Sequence, residues 1–379
     1  MSSAELFHAG RSSVPGPTAM SETTKPRLSE AQVLELVQRL YGLERSTVRP
    51  LPSYDDQNFH VVAPGGGGEY VLKVMNSADS TNPTVIDVQT QAMSFLQEHG
   101  IPAQTAVRNA AGELMNLEEI DCGFGCQKFM VRLLTYLPGT TISTVPYTPQ
   151  LLYDVGKMAA RMDQVLLKMD HPHLSALQRD SFIWSLSNVP LLEGYVYSMD
   201  GDPLQEVVKA VIEEFKTSVL PRRHAFRKCL NHGDFNDLNI LVEPDQGSDY
   251  RISGILDFSD MNSGYYVHEL AIAIMYMMIQ HPDPVAVGPP VTQGWESVVP
   301  LNPEERDCLY LLVLCRFCQS LVMARHSVRL QPHNEEYLMT TARTGMRILR
   351  QLWDLGKAEV EKVWFQDGQG RVLVGDGDK

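Results

Sequence analysis

A chain of 379 residues, 44% hydrophobic and 21% charged, has the composition of a globular protein rather than a disordered one. At roughly 100–200 residues per domain, this length predicts two domains, or at most three. The formal charge of −14 excludes nucleic acid and anionic membranes as the main partners, because like charges repel, and it suits a cationic small molecule. Composition does not identify protein partners, which stay unknown.

Cysteine use and hydropathy predict a cytoplasmic protein. Six cysteines in a long chain without a secretory hydrophobic segment indicate reduced thiols in an intracellular compartment. The longest apolar run, residues 270–279, covers about half of the length that a membrane-spanning helix needs. Residues 1–27 mix Ser, Pro and Gly with charges of both signs, which is typical of a disordered tail.

Residues 28–136 carry patterns that predict a small β-rich region. Ser29 stands three residues before Gln32 and just ahead of an apolar stripe, so the pair predicts the capping box of a first helix that ends at Gly42. A second amphipathic helix is predicted over 83–98. Strand patterns lie at 48–51, 58–62, 70–75, 103–108, 114–118 and 129–135.

Residues 137–379 predict a larger region that is mostly helical. One β-hairpin interrupts the helices, with strands at 240–242 and 252–256. The expected fold class is therefore α+β, with a small β-rich N-lobe over 28–136 and a larger helical C-lobe over 137–379.

The stretch His232-Gly233-Asp234, followed by Asn239, carries the strongest chemical signal. In a kinase catalytic loop, an Asp acts as the base for the attacking hydroxyl, and an Asn five residues later is a metal ligand. Asp234 and Asn239 have this spacing, and the hairpin that follows returns the chain to Asp257, a second candidate ligand for Mg²⁺. Turn residues alone could explain each piece, but not the whole pattern.

The motif His232-Gly233-Asp234-x-Asn236-x-x-Asn239 resembles that of the aminoglycoside phosphotransferase and choline kinase-like family. The resemblance implies a bilobal protein-kinase-like fold, with a nucleotide-binding N-lobe and a C-lobe that carries the catalytic loop, the metal site and the substrate-binding helices. The stretches 50–61, 131–139 and 316–324 resemble family members that use GTP to phosphorylate 5-hydroxy-L-lysine. The residues alone do not separate GTP from ATP as the donor.

The resemblance also assigns nucleotide contacts in the N-lobe. Lys73 lies where the third strand presents a lysine to the α- and β-phosphates. The loop over 53–58 is the expected phosphate cover, with Ser53 and Asn58 as donors, whereas the glycine run at 65–68 has no phosphate-loop spacing and predicts a hairpin turn. The hinge that meets the purine is expected at 134–137, with Leu134 and Tyr136.

The partner of Lys73 departs from the family pattern. Spacing along the second helix places Gln89 where the family carries a Glu, and the nearest carboxylate is Asp87. Gln89 is therefore expected to hydrogen-bond Lys73 without charge, with Asp87 as the open alternative.

Two features favour a small substrate over a protein substrate. Asn236 stands where protein kinases carry a Lys, and about ten residues separate Asp257 from the next helix, too few for a peptide-docking segment. Arg316, within an apolar helix, forms either a buried structural pair or a clamp for a substrate carboxylate. The open alternatives are a kinase for another alcohol, of the aminoglycoside, choline or homoserine type, and a silent nucleotide-binding pseudokinase.

Overall fold

The computed structural model describes residues 25–123, 125–245, 249–330 and 339–365. The tail predicted over 1–27 therefore lies outside the described residues except for its last three positions. The same holds for the start of the last predicted helix, which falls before residue 339.

A five-stranded antiparallel sheet forms the N-terminal part of the molecule, with strand order β1-β2-β3-β5-β4. The strands are β1 (Thr47–Leu51), β2 (Gln57–Val62), β3 (Glu69–Val74), β4 (Asn116–Asp121) and β5 (Cys126–Thr135). Helix α1 (Glu30–Tyr41) begins with the predicted capping box at Ser29 and ends at Gly42, whose φ of 67° is left-handed. Helix α2 (Pro83–Glu98) follows β3.

Strand alternation gives the sheet two different faces. Leu72 and Val74 of β3, with Val131 and Leu133 of β5, pack in one cluster with the apolar stripe of α1. The intervening residues, including Lys73, point to the opposite face, where α2 and the rest of the molecule lie. The sheet therefore buries apolar residues on one side and presents polar ones on the other.

The remaining residues are mostly helical, and they surround two small sheets with orders β10-β7 and β6-β8-β9. The strands are β6 (Thr140–Thr141), β7 (Lys228–Asn231), β8 (Ile240–Pro244), β9 (Tyr250–Ile255) and β10 (Asn262–Tyr265). The helices are α3 (Pro149–Leu166), α4 (Gln205–Glu214), α5 (Tyr266–Gln280), α6 (Gly288–Glu296), α7 (Pro303–Leu330) and α8 (Thr340–Trp364), the last kinked at Gly356. The predicted α+β class is confirmed.

Helix α7 is long and apolar enough to cross a membrane by length and composition alone. However, 83% of its most apolar window is buried within the protein, as expected for a core helix. Its side chains join those of α3, α5 and α8 in one large apolar cluster. All six cysteines are free thiols, in agreement with the prediction.

The strand predicted over 103–108 is wrong as a regular element. This segment makes only isolated bridges, from Ala103 to Ile255 and from Ala106 to Leu134. The segment runs from the end of β9 to the end of β5 and does not form a continuous ladder with either strand. In contrast, β7 and β10 were not predicted, although they hold the two ends of the catalytic-loop region in register.

Candidate active site

The catalytic loop, residues 232–239, leaves β7 and enters β8. Gly233 has a φ of +83°, and a Cβ there would lie 2.4 Å from the carbonyl oxygen of Asp260, so the position requires glycine. His232 accepts a hydrogen bond at Nδ1 from the backbone N–H of Asp234 and donates from Nε2 to the carbonyl of Leu256. Burial lowers the pKa of His232, which favours this neutral form. The histidine therefore holds Asp234 against the segment that follows β9, next to Asp257.

The side chain of Asp234 is 25% exposed. We use the name cleft for the region around Asp234, Asp257 and Lys73. Its Oδ1 accepts from Arg316 at 3.0 Å, and its Oδ2 accepts from the side-chain amides of Asn236 at 2.8 Å and Asn239 at 3.1 Å. Donors on both oxygens hold the carboxylate in one orientation while leaving it accessible, as a base for a small alcohol requires.

Asn239 and Asp257 come together because β8 and β9 are paired. The backbone N–H of Leu256 donates to the carbonyl of Asn239 at 2.8 Å, which brings the two predicted metal ligands to the same end of the hairpin. Asp257 has a positive φ of 55°, an unusual conformation for a non-glycine residue. Its Oδ1 accepts from Lys73, whereas no described residue donates to its Oδ2 or to Oδ1 of Asn239.

These two free oxygens fit Mg²⁺. Carboxylate and amide oxygens are hard ligands, and Mg²⁺ is usually held by one or two protein groups, with water and substrate phosphate completing its shell. The described residues contain no cluster of three or more His, Cys, Asp or Glu that could hold a metal ion. Two protein ligands suit a cation that arrives with a nucleotide.

Lys73 lies on the cleft face of the sheet, between two carboxylates. Its Nζ is 2.8 Å from Oδ1 of Asp257 and 3.0 Å from Oδ2 of Asp56. Burial alone would lower the pKa of Lys73, but the two carboxylates more than offset this effect and raise it. Burial likewise disfavours the ionised form of Asp257, but Lys73 outweighs it and lowers the pKa of that carboxyl. The pair is therefore ionised.

Two further polar residues extend this row across the sheet. Asn58 and Arg132 lie directly opposite Lys73 on β2 and β5. Arg132 is 1% exposed and donates to Oγ1 of Thr90 on α2 at 2.8 Å. Oδ1 of Asn58 is buried, and no described residue donates to it.

The expected contact between Gln89 and Lys73 is wrong. Gln89 donates from Nε2 to the carbonyl of Ser259 at 2.7 Å, so it joins α2 to the turn after Asp257. The alternative partner also fails, because Asp87 lies 3.3 Å from Nε2 of His171. Helix α2 therefore gives Lys73 no carboxylate, and Asp56 from the loop before β2 lies there instead.

The predicted phosphate cover, residues 53–58, is attached at several points. Ser53 donates from Oγ to the carbonyl of Asp56 at 2.6 Å. Lys25 donates to the carbonyls of Ser53 and Tyr54, at 2.9 and 2.6 Å. The hydroxyl of Tyr54 meets that of Ser327 on α7, so the loop contacts both its own sheet and the helical part.

The predicted hinge, residues 134–137, lies at the end of β5. Leu134 is buried within the strand opposite Val71. The amides of Thr135 and Tyr136 already donate to the carbonyls of Thr105 and Glu69, and the ring of Tyr136 packs 4.4 Å from that of His60. The carbonyl of Tyr136 and the amide of Leu137 take no part in the described backbone bonds.

Arg316 is fully buried on α7 and points to the catalytic loop. Besides Asp234, it contacts the carbonyl of Trp184 at 2.9 Å and the hydroxyl of Tyr276 at 3.3 Å. Its guanidinium lies 5.3 Å from each of those two rings. Of the two predicted alternatives, these contacts favour the buried structural pair.

Beneath the loop lies a buried acid cluster, which we define as Asp163, Cys229, Asn231 and Glu269. Glu269 accepts from the backbone N–H of Gly233 at 3.1 Å, and Asp163 accepts from Asn231 at 3.1 Å and from the Cys229 thiol at 3.4 Å. Burial raises the pKa of Glu269 to about 7 and the pKa of Asp163 well above its usual range. No cation forms an ion pair with either carboxyl among the described residues.

The sequence-based reasoning missed Asp56 and the Arg316–Asp234 pair. Asp56 stands in a polar turn, where Asp is common for local reasons, so no pattern distinguished it from Asp55. Its signal was indirect, since a buried Lys73 without a helix carboxylate needs a negative partner from elsewhere.

Known proteins resemble the chain over most of its length. Residues 47–307 match the model of a phosphotransferase enzyme family. A hydroxylysine kinase from Danio rerio is 62% identical over 349 residues, which are 92% of this chain and 98% of that protein. A hydroxylysine kinase from Xenopus laevis is 49% identical over 366 residues, which are 94% of this chain and 98% of that protein.

Solved structures of kinases share the fold. An amicoumacin kinase in complex with AMP-PNP, Ca²⁺ and Ami superposes with a TM-score of 0.65 at 18% identity, over 87% of this chain and 98% of that one. A microcompartment-associated aminopropanol kinase gives 0.64 at 15% identity, over 86% and 98%. The predicted bilobal protein-kinase-like fold is thus confirmed, and the chain belongs to the phosphotransferase enzyme family.

Proposed function

We propose that this phosphotransferase moves the γ-phosphoryl group of GTP or ATP to the side-chain hydroxyl of 5-hydroxy-L-lysine, giving 5-phosphohydroxy-L-lysine. The carrying observation is the accessible carboxylate of Asp234, held by three donors beside Asn239 and Asp257. The substrate follows from relatives named hydroxylysine kinase that are 62% and 49% identical over nearly their whole length.

Asp234 acts as the base in this proposal. The acceptor hydroxyl lies against the carboxylate, which orients it toward the γ-phosphorus and takes its proton as the new O–P bond forms. The bond from the γ-phosphorus to the bridging oxygen of the β-phosphate breaks, and the nucleoside diphosphate leaves. Arg316 and the amides of Asn236 and Asn239 already occupy defined positions on the two oxygens, so the carboxylate does not need to reorganise during the reaction.

Asn239 and Asp257 would hold Mg²⁺ through their two free oxygens, and the cation would supply charge neutralisation on the phosphates. Lys73 binds the α- and β-phosphates, and Ser53 and Asn58 contribute to the cover above them. The purine edge meets the free carbonyl of Tyr136 and the free amide of Leu137, next to Leu134. Gln89 has no nucleotide contact in this proposal, because it is bound to Ser259.

Two further assignments concern the roles of the two lobes and the cellular location of the protein. We assign nucleotide binding to residues 28–136 and acceptor binding to residues 137–379. We also assign the protein to the cytoplasm, where its six free thiols stay reduced.

An assay of nucleoside-diphosphate release identifies the acceptor substrate and the phosphoryl donor. The purified chain is assayed with ATP and with GTP against 5-hydroxylysine, choline, homoserine and kanamycin. We expect kcat/KM for 5-hydroxylysine to exceed the others by at least ~10²-fold, which corresponds to about 2.7 kcal/mol of differential transition-state binding. Comparable rates for another alcohol would overturn the substrate, and no turnover with any would leave a silent nucleotide-binding protein.

Asp234→Asn tests the base. The variant keeps the shape of the side chain and loses its ability to take a proton, so kcat should fall by on the order of 10²–10⁴ with little change in nucleotide affinity. A folded variant with near-wild-type turnover would remove Asp234 from this role.

A further inference from the structure

We propose that Asp56, in the loop before β2, is the positioning carboxylate of Lys73 and replaces the acidic residue that α2 lacks. The inference rests on the proposed function, since it takes Lys73 to be the phosphate-binding lysine. It adds a residue that neither the motif nor the family resemblance identified. Its basis is the 3.0 Å ion pair between Oδ2 of Asp56 and Nζ of Lys73, two side chains that are 12% and 6% exposed.

Asp56 is itself fixed to the strand that carries Lys73. Its Oδ1 accepts from the backbone N–H of Asn76 at 2.8 Å and from the Asn76 side-chain amide at 3.1 Å. Asn76 is 2% exposed and also bonds to Asp79 on both its amide and its carbonyl side. Because Asn76 lies just beyond β3, the carboxylate and the lysine share one rigid support.

Charge balance explains why this carboxylate is needed. Lys73 and Arg132 place two positive charges side by side on the cleft face, and Asp257 provides one negative charge. With Gln89 on α2, a second negative charge must come from elsewhere, because an uncompensated buried cation is costly. With Asp56 included, the net charge of these four side chains is zero.

The same contact could instead block the phosphate site in the nucleotide-free protein. The geometry points to positioning, because Asp56 is held through both oxygens, and two of its three donors belong to Asn76 rather than to Lys73. A blocking carboxylate would have to leave upon binding and would break all three contacts. A positioning carboxylate keeps them and holds Nζ toward the phosphates.

The test is a double-mutant cycle on nucleotide affinity. Dissociation constants for ATP and GTP are measured by calorimetry, with Mg²⁺ and with chelator, for wild type, Asp56→Asn, Lys73→Met and the double variant. We expect Asp56→Asn to weaken binding about tenfold or more in both conditions and to lower kcat. In the Lys73→Met background, the same change should have little further effect, because Asp56 acts through Lys73.

Matched controls isolate the effect. Asp87→Asn removes the nearest α2 carboxylate, which pairs with His171, and should leave affinity and kcat unchanged. If Asp56→Asn does not fold, Asn76→Ala removes the side-chain donor to Oδ1 of Asp56, keeps the backbone donor and all charges, and should weaken binding severalfold.

Three results would overturn the inference: tighter nucleotide binding by Asp56→Asn, unchanged affinity in Asp56→Asn or Asn76→Ala, or additive effects in the double variant. Each of these results counts against the inference only if the wild-type chain transfers phosphate. A wild-type chain without transfer would contradict the proposed function instead, so the two failures are distinguishable.

Discussion

Two groups of acidic side chains flank the predicted catalytic loop, and they are built in opposite ways. On the cleft side, Asp56 and Asp257 face Lys73 and Arg132, so each carboxylate has a cation nearby. Beneath the loop, the buried acid cluster has two carboxyls and no cation paired with them among the described residues. The cleft carboxylates Asp56 and Asp257 are 12% and 41% exposed, whereas both carboxyls of the cluster are fully buried, so the two groups differ in burial as well as in charge environment.

This difference decides the protonation state of each group. Lys73 lowers the pKa of Asp257 and keeps that carboxylate ionised, which suits the proposed phosphate and metal site. Beneath the loop, burial raises the pKa of both Asp163 and Glu269, and the charge of Glu269 raises that of Asp163 further, so protonated carboxyls are present near neutral pH. We infer that the first group balances the charges of Lys73 and Arg132 and that the second positions the loop backbone.

Of the substitutions that test this difference, removal of Asp257 should have the largest effect on nucleotide affinity and turnover. Asp257→Ala takes away one predicted metal ligand and leaves two buried cations facing a single carboxylate. We expect affinity for the Mg-nucleotide to fall by at least ~10²-fold and turnover to become barely detectable. Calorimetric titration with the Mg-nucleotide measures this, and unchanged affinity and activity would move the metal ligand to Asp260.

Arg316 sharpens the comparison, since it is a buried cation that pairs with Asp234, the proposed base. Arg316→Met should lower kcat by about 10²-fold and Arg316→Lys by about tenfold, because Lys cannot contact Asp234 and the Trp184 carbonyl as a planar fork does. Steady-state kinetics with 5-hydroxylysine and with its decarboxylated analogue tests the alternative. A clamp on the substrate carboxylate would make wild type prefer the amino acid and would make Arg316→Met lose that preference.

Glu269 gives the smallest and most specific effect, a change in how stability depends on pH. A carboxyl whose pKa rises from 4.5 to about 7 on folding stabilises the fold below pH 4.5 and loses that contribution as pH rises through 7. Glu269→Gln removes this loss and still accepts from Gly233. Relative to wild type, its free energy of unfolding should increase between pH 5 and pH 8, by at most roughly 3 kcal/mol.

Urea unfolding of both proteins at the two pH values measures this difference. Asp87→Asn is the control, because its carboxylate is partly exposed and lies outside the buried acid cluster. A pH-independent difference would mean that Glu269 is ionised and compensated, like Asp257.

Local sequence was sufficient for the parts of the site that lie close together in the chain. Asp234 and Asn239 are five residues apart, and the hairpin between Asn239 and Asp257 makes their meeting a matter of strand pairing. The capping box of α1 and the glycine turn before β3 are also local. These features follow from short-range geometry, so one sequence contains enough information to find them.

The contacts that tune the site are not local. Arg316 and Asp234 are 82 residues apart in the sequence, and the helix that presents Arg316 packs against the loop only in the assembled core. Gln89 was assigned by its position on α2, but the rotation of that helix directs it to Ser259. Tertiary packing decides such pairs, and no periodicity in the sequence encodes it.

The anchor of the phosphate-cover loop at Lys25 has a consequence for evolution and redesign. Among the described residues, Lys25 donates its hydrogen bonds to the main-chain carbonyls of Ser53 and Tyr54, so these two bonds do not depend on which side chains the loop carries. The loop can therefore exchange residues to suit another phosphoryl donor and still be held down. Conversely, a chain shortened past Lys25 would keep every motif of the catalytic machinery and lose this support.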